Sequence, residues 1–178
     1  MIKIAITSPD FISGEVFKIL HLLEDGGFDF VHLRKPGACY ADCAAVVDKI
    51  PVEYRSRIIT HEHFSLAQDY GLGGIHLNRR NPNLPEGWRG RVSCSCHSFE
   101  EVSERKPMCD YVFLSPVYDS ISKHGYSSAF SLTDLREAAG RGIVDGKVIA
   151  LGGITEDKIP ELLSVGFGGV AMLGALWR

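Results

Sequence analysis

The most specific chemistry in this sequence comes from two glycine turns near its end. Gly152 and Gly153 follow the apolar run Lys147 to Leu151, and Gly174 follows the run Gly169 to Leu173. A glycine lets a phosphate approach backbone N–H groups because no Cβ stands in the way. The turns therefore predict a binding site for the phosphate group of a ligand. The alternative is that these glycines only make tight turns between a strand and a helix.

A long polar segment, Pro116 to Ser131, is a second candidate for anion binding. It contains two hydroxyls, an ammonium group and an imidazole, at Ser120, Ser122, Lys123 and His124. Such groups can surround the oxygens of a polyanion, and loops of this length in a compact domain often act as lids. A solvated surface loop is the alternative.

Cations and histidines gather at the ends of strand-like runs in the first half of the sequence. Arg34 and Lys35 end the second run, and a guanidinium suits bidentate recognition of phosphate, although a salt bridge would also explain a cation there. Five of the seven histidines lie at or near the ends of runs two to five: His32, His61, His63, His76 and His97. A metal site of the His-x-His type is conceivable from His61 and His63 if the strand continues through both.

A framework of alternating strands and helices must position these residues. Short β-branched or aromatic runs alternate with segments of helical periodicity, which indicates βαβ units and a parallel sheet. The predicted strands are Ile2 to Thr7, Asp29 to Leu33, Arg57 to His61, Gly74 to Leu77, Val92 to Cys96, Tyr111 to Ser115, Lys147 to Leu151 and Gly169 to Leu173. The predicted helices are Gly14 to Glu24, Tyr40 to Ile50, Phe64 to Tyr70, Phe99 to Arg105, Leu132 to Ala139 and Glu156 to Val165. Residues 78–90 hold two prolines and two glycines, which predicts a loop.

Eight strands favour a closed TIM-type (β/α)8 barrel over an open doubly wound sheet, and ligands then bind at the C-terminal ends of the strands. One domain over residues 1–178 is expected, because the chain suffices for one core but not for two. Such barrels usually have about 250 residues, and this sequence stops at Arg178, directly after the eighth predicted strand, so the eighth helix is predicted to be missing. The apolar surface around Leu173 and Leu176 would then be exposed, which predicts a homodimer or a longer natural chain.

Composition and charge exclude several classes of function. The net charge is −3 and the basic residues are scattered, which argues against a nucleic-acid partner. There is no apolar run long enough for a bilayer and no signal peptide, so we expect a cytoplasmic protein without a membrane partner. Five cysteines, an odd number, suit a reducing compartment, and Cys94 and Cys96 are predicted to be small core residues rather than metal ligands.

Taken together, these motifs resemble the thiamine phosphate synthase and TenI superfamily, from about Asp29 to Gly174. The similar segments are Val31 to Lys35, Ile59 to His63 with Leu66 and Ala67, Gly74 to Leu77, Ser95 to Ser98, Asp110 to Tyr118, Ser120 to Lys123, Ala150 to Thr155 and Gly169 to Met172. Each is weak alone, but their order and spacing are jointly specific.

In the synthase branch, the resemblance implies that a pyrimidine pyrophosphate loses pyrophosphate with the aid of Mg²⁺, and that a thiazole phosphate nitrogen captures the resulting cation. Such a reaction needs electrostatic stabilisation of the leaving group more than a strong base. The implied pyrophosphate and pyrimidine contacts are His32, Arg34, His61, Ser95 and Lys123. The implied thiazole phosphate contacts are Ser120, Ser122, Gly153, Leu173 and Gly174. The implied catalytic set is Arg34, Ser95, Lys123 and His124.

The same resemblance locates differences from the synthase pattern. That pattern has Gln at the position of His32, a second Lys where Pro36 stands, Asn-Asp where His61 and Glu62 stand, and Asp where Asn81 stands. Glu62 and Asn81 are therefore the implied Mg²⁺ positions. Glu62 could bind the ion through one carboxylate oxygen, whereas neutral Asn81 contributes less charge.

The TenI branch gives an alternative activity, a proton transfer that aromatises a thiazole phosphate precursor and needs an acid or base rather than that metal. The histidine that the family uses after strand six is Pro116 here, which leaves His124, His61 and His97 as candidates. A third hypothesis is a non-catalytic paralogue that binds thiazole phosphate or thiamine phosphate. An unrelated phosphosugar isomerase on the same fold is a fourth, and all four hypotheses require a small phosphorylated ligand.

Overall fold

The computed structural model describes residues 1–119 and 130–177. All eight predicted strands are present and run parallel in a closed barrel of order β1 to β8, which confirms the predicted fold class. Their bounds are β1 Ile2–Ile6, β2 Phe30–Leu33, β3 Ile58–Thr60, β4 Gly74–Leu77, β5 Arg91–Cys96, β6 Tyr111–Leu114, β7 Val148–Leu151 and β8 Gly169–Met172.

Six predicted helices are confirmed, with changes at two of them. The bounds are α1 Glu15–Glu24, α2 Tyr40–Val47, α3 Val52–Arg55, α4 Ser65–Tyr70, α5 Phe99–Arg105, α6 Leu132–Gly140 and α7 Ile159–Val165. The short α3 was not predicted, and it follows Pro51, which separates it from α2. The last predicted helix begins with a 3-10 turn, Glu156–Lys158, because Pro160 favours the first turn of α7.

The chain divides into two compact units. The N-terminal unit is Ile4–Val92, and the C-terminal unit combines Met1–Lys3 with Ser93–Arg178. In the N-terminal unit, β2 and β3 pair in the register of Val31 with Ile58 and His32 with Ile59. Its strands are buried on both faces, as parallel strands covered by helices must be.

The C-terminal unit contains β5 to β8. Val112 of β6 pairs with Val148 of β7, and Ala150 of β7 pairs with Val170 of β8. Cys94 and Cys96 are buried with their Sγ atoms 3.8 Å apart, which confirms that they belong to the core. The loop predicted for residues 78–90, in the other unit, is also present.

The structure places no helix after β8 among the residues that it describes, up to position 177. Leu176 donates its N–H to the carbonyl of Leu173, and both side chains are half-buried rather than exposed. The apolar surface predicted there is therefore smaller than expected, and the homodimer stays a prediction. No helix in the described ranges combines the length and hydropathy needed to cross a membrane.

Candidate functional site

Three histidines of the N-terminal unit meet in its interior. His32 lies in β2, His61 directly follows β3 and His76 lies in β4. Their exposed fractions are 0%, 4% and 0%. The His61 and His76 rings stack with centroids 4.1 Å apart, and His32 Nδ1 lies 2.9 Å from His61 Nε2.

Burial keeps these three imidazoles neutral. It lowers the pKa of His32 and His61 well below the usual value and lowers that of His76 to about 3. Neighbouring charge acts in the same direction, because Arg34 and Arg80 oppose a proton on His61 and His76. A neutral imidazole can accept or donate one hydrogen bond or bind a metal ion.

A pair of guanidinium groups forms the second feature of this unit. Arg34 follows β2 and is half-buried, and its backbone N–H donates to Thr7 Oγ1 at 2.9 Å. Burial lowers the pKa of Arg34, and the nearby Arg80 lowers it further. Arg80 Nη2 lies 2.5 Å from Glu62 Oε1, and Glu62 also acts electrostatically on Arg34, so two cations share one nearby carboxylate. The excess positive charge suits an anionic ligand.

Lys35 is fully buried, and its ammonium group is paired within the protein. Its Nζ donates to the carbonyls of Ser8 and Asp10 and lies 2.5 Å from Glu15 Oε1. For Lys35, therefore, the salt-bridge alternative is correct. The contacts of this side chain link the end of β2 to the segment after β1.

The two implied Mg²⁺ positions do not present free carboxylate oxygens. Glu62 Oε2 accepts the N–H of Lys35, and Oε1 accepts from Arg80. Asn81 is neutral, and its Nδ2 donates to the carbonyl of His61 at 3.0 Å. Mg²⁺ prefers carboxylate and phosphate oxygens in an octahedral arrangement, so these residues as arranged do not fit it.

The His61 and His63 metal hypothesis is wrong. β3 ends at Thr60, and His63 adopts a left-handed backbone with φ of 49°. Its Nε2 lies 2.7 Å from the carbonyl of Ala38. The chain turns before the alternation of a strand could bring the two rings to one side, so His61 joins His32 and His76 instead.

The glycine turn after β7 has a structural requirement for both of its glycines. Gly152 has φ of 99° and Gly153 has φ of 62°, in the region that favours glycine. A Cβ on Gly152 would lie 2.8 Å from Pro116 Cα, and one on Gly153 would lie 2.4 Å from the Asp119 carbonyl oxygen. The tight-turn alternative therefore holds here, and a phosphate role would be additional to it.

Side chains of the C-terminal unit hold this turn in place. Lys158 Nζ donates to the Gly153 carbonyl at 2.9 Å and lies 4.4 Å from the centroid of the Tyr118 ring. The Tyr118 hydroxyl donates to Glu161 Oε2 at 2.7 Å. Thr155 is the N-cap residue of the next turn, as predicted, although its side chain makes no capping hydrogen bond.

The remaining predicted residues fall into two sets. Ser95 is half-buried in β5, while Leu173 and Gly174 follow β8 and are also half-buried. His97 is exposed, and its Nδ1 lies 3.0 Å from the carbonyl of Ser115. The second set is Ser120, Ser122, Lys123 and His124, which lie outside the described residues.

Comparison with known proteins decides the family. A family model described as thiamine monophosphate synthase, named TMP-TENI, matches residues 4–176. The chain belongs to this family. A solved thiamine phosphate pyrophosphorylase from Bacteroides thetaiotaomicron is 46% identical with a TM-score of 0.89, and the match covers 99% of this chain and 85% of that one.

Sequence relatives of the family have lower identity. Thiamine-phosphate synthase of Listeria welshimeri is 25% identical over 95% of this chain and 88% of the relative. Thiamine-phosphate synthase of Bacteroides thetaiotaomicron is 24% identical over 86% of this chain and 79% of the relative. The predicted family, and a transferase of the thiamine-phosphate synthase type, are confirmed.

Sequence reasoning missed Arg80 and Lys158. Arg80 lies three residues after β4, next to Asn81 in a loop whose prolines and glycines predict only irregular structure. Its position near the end of a strand was a usable signal, as it was for Arg34. No sequence signal pointed to Lys158. Its ammonium group donates to the backbone carbonyl of Gly153, and a backbone acceptor leaves no pattern in the sequence.

Proposed function

We propose that this chain joins hydroxymethylpyrimidine pyrophosphate to thiazole phosphate and releases pyrophosphate. The observation that most supports this is the Arg34 and Arg80 pair with its single carboxylate, Glu62. A leaving pyrophosphate develops negative charge as the carbon–oxygen bond breaks, and preorganised cations stabilise that charge. The thiazole nitrogen then forms the new carbon–nitrogen bond.

The N-terminal unit supplies side-chain cations and imidazoles in this proposal. Arg34 contacts the pyrophosphate, and Arg80 adds a second positive charge. His32 and His61 contact the pyrimidine or its pyrophosphate through neutral rings, consistent with their lowered pKa values. Ser95 and Lys123 stay predicted pyrophosphate contacts on the basis of the family pattern.

The C-terminal unit supplies the thiazole phosphate site. Gly153, Leu173 and Gly174 contact that phosphate through the backbone, and Ser120 and Ser122 contact it through hydroxyls. Support comes from the fold, since barrels of this type often bind phosphate after strands seven and eight. The turn at Gly153 also agrees, because Lys158 donates to its carbonyl and the Asp119 carbonyl oxygen leaves no room for a Cβ.

Mg²⁺ is a predicted cofactor of the reaction, with Glu62 and Asn81 as its predicted positions. The ion pair between Glu62 and Arg80 opposes this site, so no step above passes through the metal. Comparison of the reaction rate in excess EDTA and in added Mg²⁺ measures the requirement for the ion directly.

We further propose a cytoplasmic location, on the basis of the cysteine content.

Production of thiamine phosphate from the two substrates tests the proposal. We expect Arg34→Gln to reduce kcat/KM by at least about 100-fold, because one charged hydrogen bond to a developing anion typically contributes this much. The matched control is Arg136→Gln, which removes an exposed guanidinium from α6 and should leave the rate unchanged. Absence of product with the native protein, with or without Mg²⁺, would reject this function.

A tautomerase of the TenI type is the second candidate, and one observation favours it. Glu62 is engaged by Arg80 and by the N–H of Lys35, and Asn81 is neutral, so the implied Mg²⁺ positions do not fit the ion of the synthase reaction, whereas a tautomerase needs no metal. In this candidate function His61, His97 or His124 would transfer the proton. Aromatisation of the thiazole phosphate precursor in EDTA, without thiamine phosphate formation, would favour it over the synthase.

A further inference from the structure

We propose that His32, His61 and His76 form a binding site for one divalent transition-metal ion of the Zn²⁺ class. In the part of the chain that the structure describes, no other group of three His, Cys, Asp or Glu side chains could hold a metal ion. This site differs in position and ligand type from the predicted Mg²⁺ positions. The inference does not rest on the proposed function.

The geometry of the three rings is close to that of a coordination site. One nitrogen from each ring lies within 4.8 Å of the others, and His32 Nδ1 and His61 Nε2 are already 2.9 Å apart. Two nitrogens bound tetrahedrally to Zn²⁺ are about 3.3 Å apart, given Zn–N bonds of about 2.0–2.1 Å. Rotation of the rings and a change of tautomer at the hydrogen-bonded His32–His61 pair would bring the three nitrogens to these distances.

The framework around the rings favours a preorganised site. The three histidines come from β2, the end of β3 and β4, which are neighbouring strands rather than loops. Every buried side-chain nitrogen and oxygen in residues 1–119 and 130–177 has a hydrogen-bond partner. Asn78 and Asn81 both donate to the backbone carbonyl of His61, which fixes this ligand where its strand ends.

Charge and ligand type define which ions fit. Neutral imidazole suits Zn²⁺, Co²⁺, Ni²⁺ and Cu²⁺, whereas Mg²⁺ prefers oxygen. Burial keeps all three rings in the neutral form that binds metal. Arg34, Arg80 and Arg91 are close enough to act on the rings, and Glu62 offsets part of their charge.

The proposed site leaves one coordination position for a ligand from outside the chain. Three histidines plus a water molecule or an anion is a common arrangement of four-coordinate Zn²⁺. The surrounding guanidinium groups favour an anion, such as hydroxide or a phosphate oxygen, at that fourth position. A metal-bound anion would also reduce the cost of a buried cation beside three arginines.

Metal titration of the purified full chain tests the site. After removal of metal with EDTA, we expect one Zn²⁺ per chain by calorimetry and a four-coordinate Co²⁺ absorption spectrum. His76→Gln and the double variant His32→Gln with His61→Asn should each bind at least about 100-fold more weakly, since even outer-shell changes cost 10–100-fold. The double variant introduces the residues that the synthase pattern has at these two positions.

His21→Gln is the matched control, because His21 is exposed on α1 and is not one of the three clustered histidines. Its ring contacts the carboxylate of Asp25. It should bind as the native protein does. If the histidine variants do not fold, X-ray absorption of the Zn²⁺-loaded native protein should show three imidazole nitrogens. Failure to bind Zn²⁺ or Co²⁺ stoichiometrically, or binding without imidazole ligands, overturns the site. These readouts contain no substrate, so they are independent of the synthase assay.

Discussion

The two compact units present different kinds of candidate binding group. The N-terminal unit places titratable side chains where its strands end, with Lys35 and three histidines almost completely buried. The C-terminal unit places a glycine turn there, in which the backbone conformation of Gly152 and Gly153 decides the geometry. Buried charged and polar groups need partners and create strong electrostatic effects, whereas a glycine turn depends mainly on sterics.

This difference predicts which changes affect stability in each unit. Changes of charge and pH should destabilise the N-terminal unit most, and added methyl groups should destabilise the C-terminal unit most. Four changes, ordered from the largest expected effect to the smallest, test the comparison.

Removal of the buried ammonium group should have the largest effect. Lys35→Met leaves Glu15, which is 4% exposed, without its cation, and loss of one partner of a buried ion pair typically costs about 3–5 kcal/mol. Urea unfolding measures this cost. Lys106→Met in the C-terminal unit is the matched control, since Lys106 also binds two carbonyls and one carboxylate. Asp145 is 44% exposed, so the control should lose only about 1 kcal/mol. Equal losses would contradict the comparison.

Acid should destabilise the metal-free protein through the three histidines. Their pKa values are lowered in the folded state, so the stabilising contribution is present above the unfolded value near 6.5 and is lost as the pH falls below it. For His76 the loss continues toward pH 3.

Each histidine contributes up to about 1.4 kcal/mol per pH unit in this range, or roughly 4 kcal/mol for three at one unit below 6.5. The titrating rings face one another and Arg34, Arg80 and Arg91, all of which oppose protonation. Urea unfolding at pH 7.5 and 5.5 gives the difference. The double variant His32→Gln with His61→Asn should show a much smaller loss, and an equal loss would mean that other groups cause it.

A methyl group on Gly153 should destabilise the C-terminal unit by about 2–4 kcal/mol. Left-handed backbone costs a residue with a Cβ about 1–2 kcal/mol, and the contact with the Asp119 carbonyl adds an overpacking cost. Gly142→Ala is the control, because Gly142 has a similar φ of 72° with no atom within 4 Å of the added Cβ. Thermal unfolding should therefore show a clearly larger shift for Gly153→Ala, and similar shifts would show that the turn can relax.

The smallest expected effect is at Tyr118. Tyr118→Phe removes the hydrogen bond to Glu161, for a loss of about 1 kcal/mol. The ring stays and keeps its contact with Lys158, so the Gly153 turn should keep its geometry. Urea unfolding measures the stability, and binding of thiazole phosphate measures the turn. A large loss of binding would show that side chains, not only sterics, determine the C-terminal site.

Much of the fold could be predicted from the sequence, and less of the candidate site. The strand around Val112 and the helix Phe99–Arg105 follow from local periodicity, so they were predictable. Arg34 and Lys35 looked equivalent as neighbouring cations, yet one is half-buried beside Arg80 and the other is a buried partner of Glu15. That distinction depends on residues that are distant in the sequence.

The sequence by itself determined the eight alternating units, the family and the glycine turn after β7, because periodicity and left-handed turns are local properties. Only the tertiary structure decided which residues meet. His61 joins His32, 29 positions earlier, rather than His63 two positions later, because β3 ends at Thr60 and the register with β2 fixes its neighbours. The glycine turn at Gly152 and Gly153 thus follows from its own residues, whereas the histidine cluster results from strand pairing.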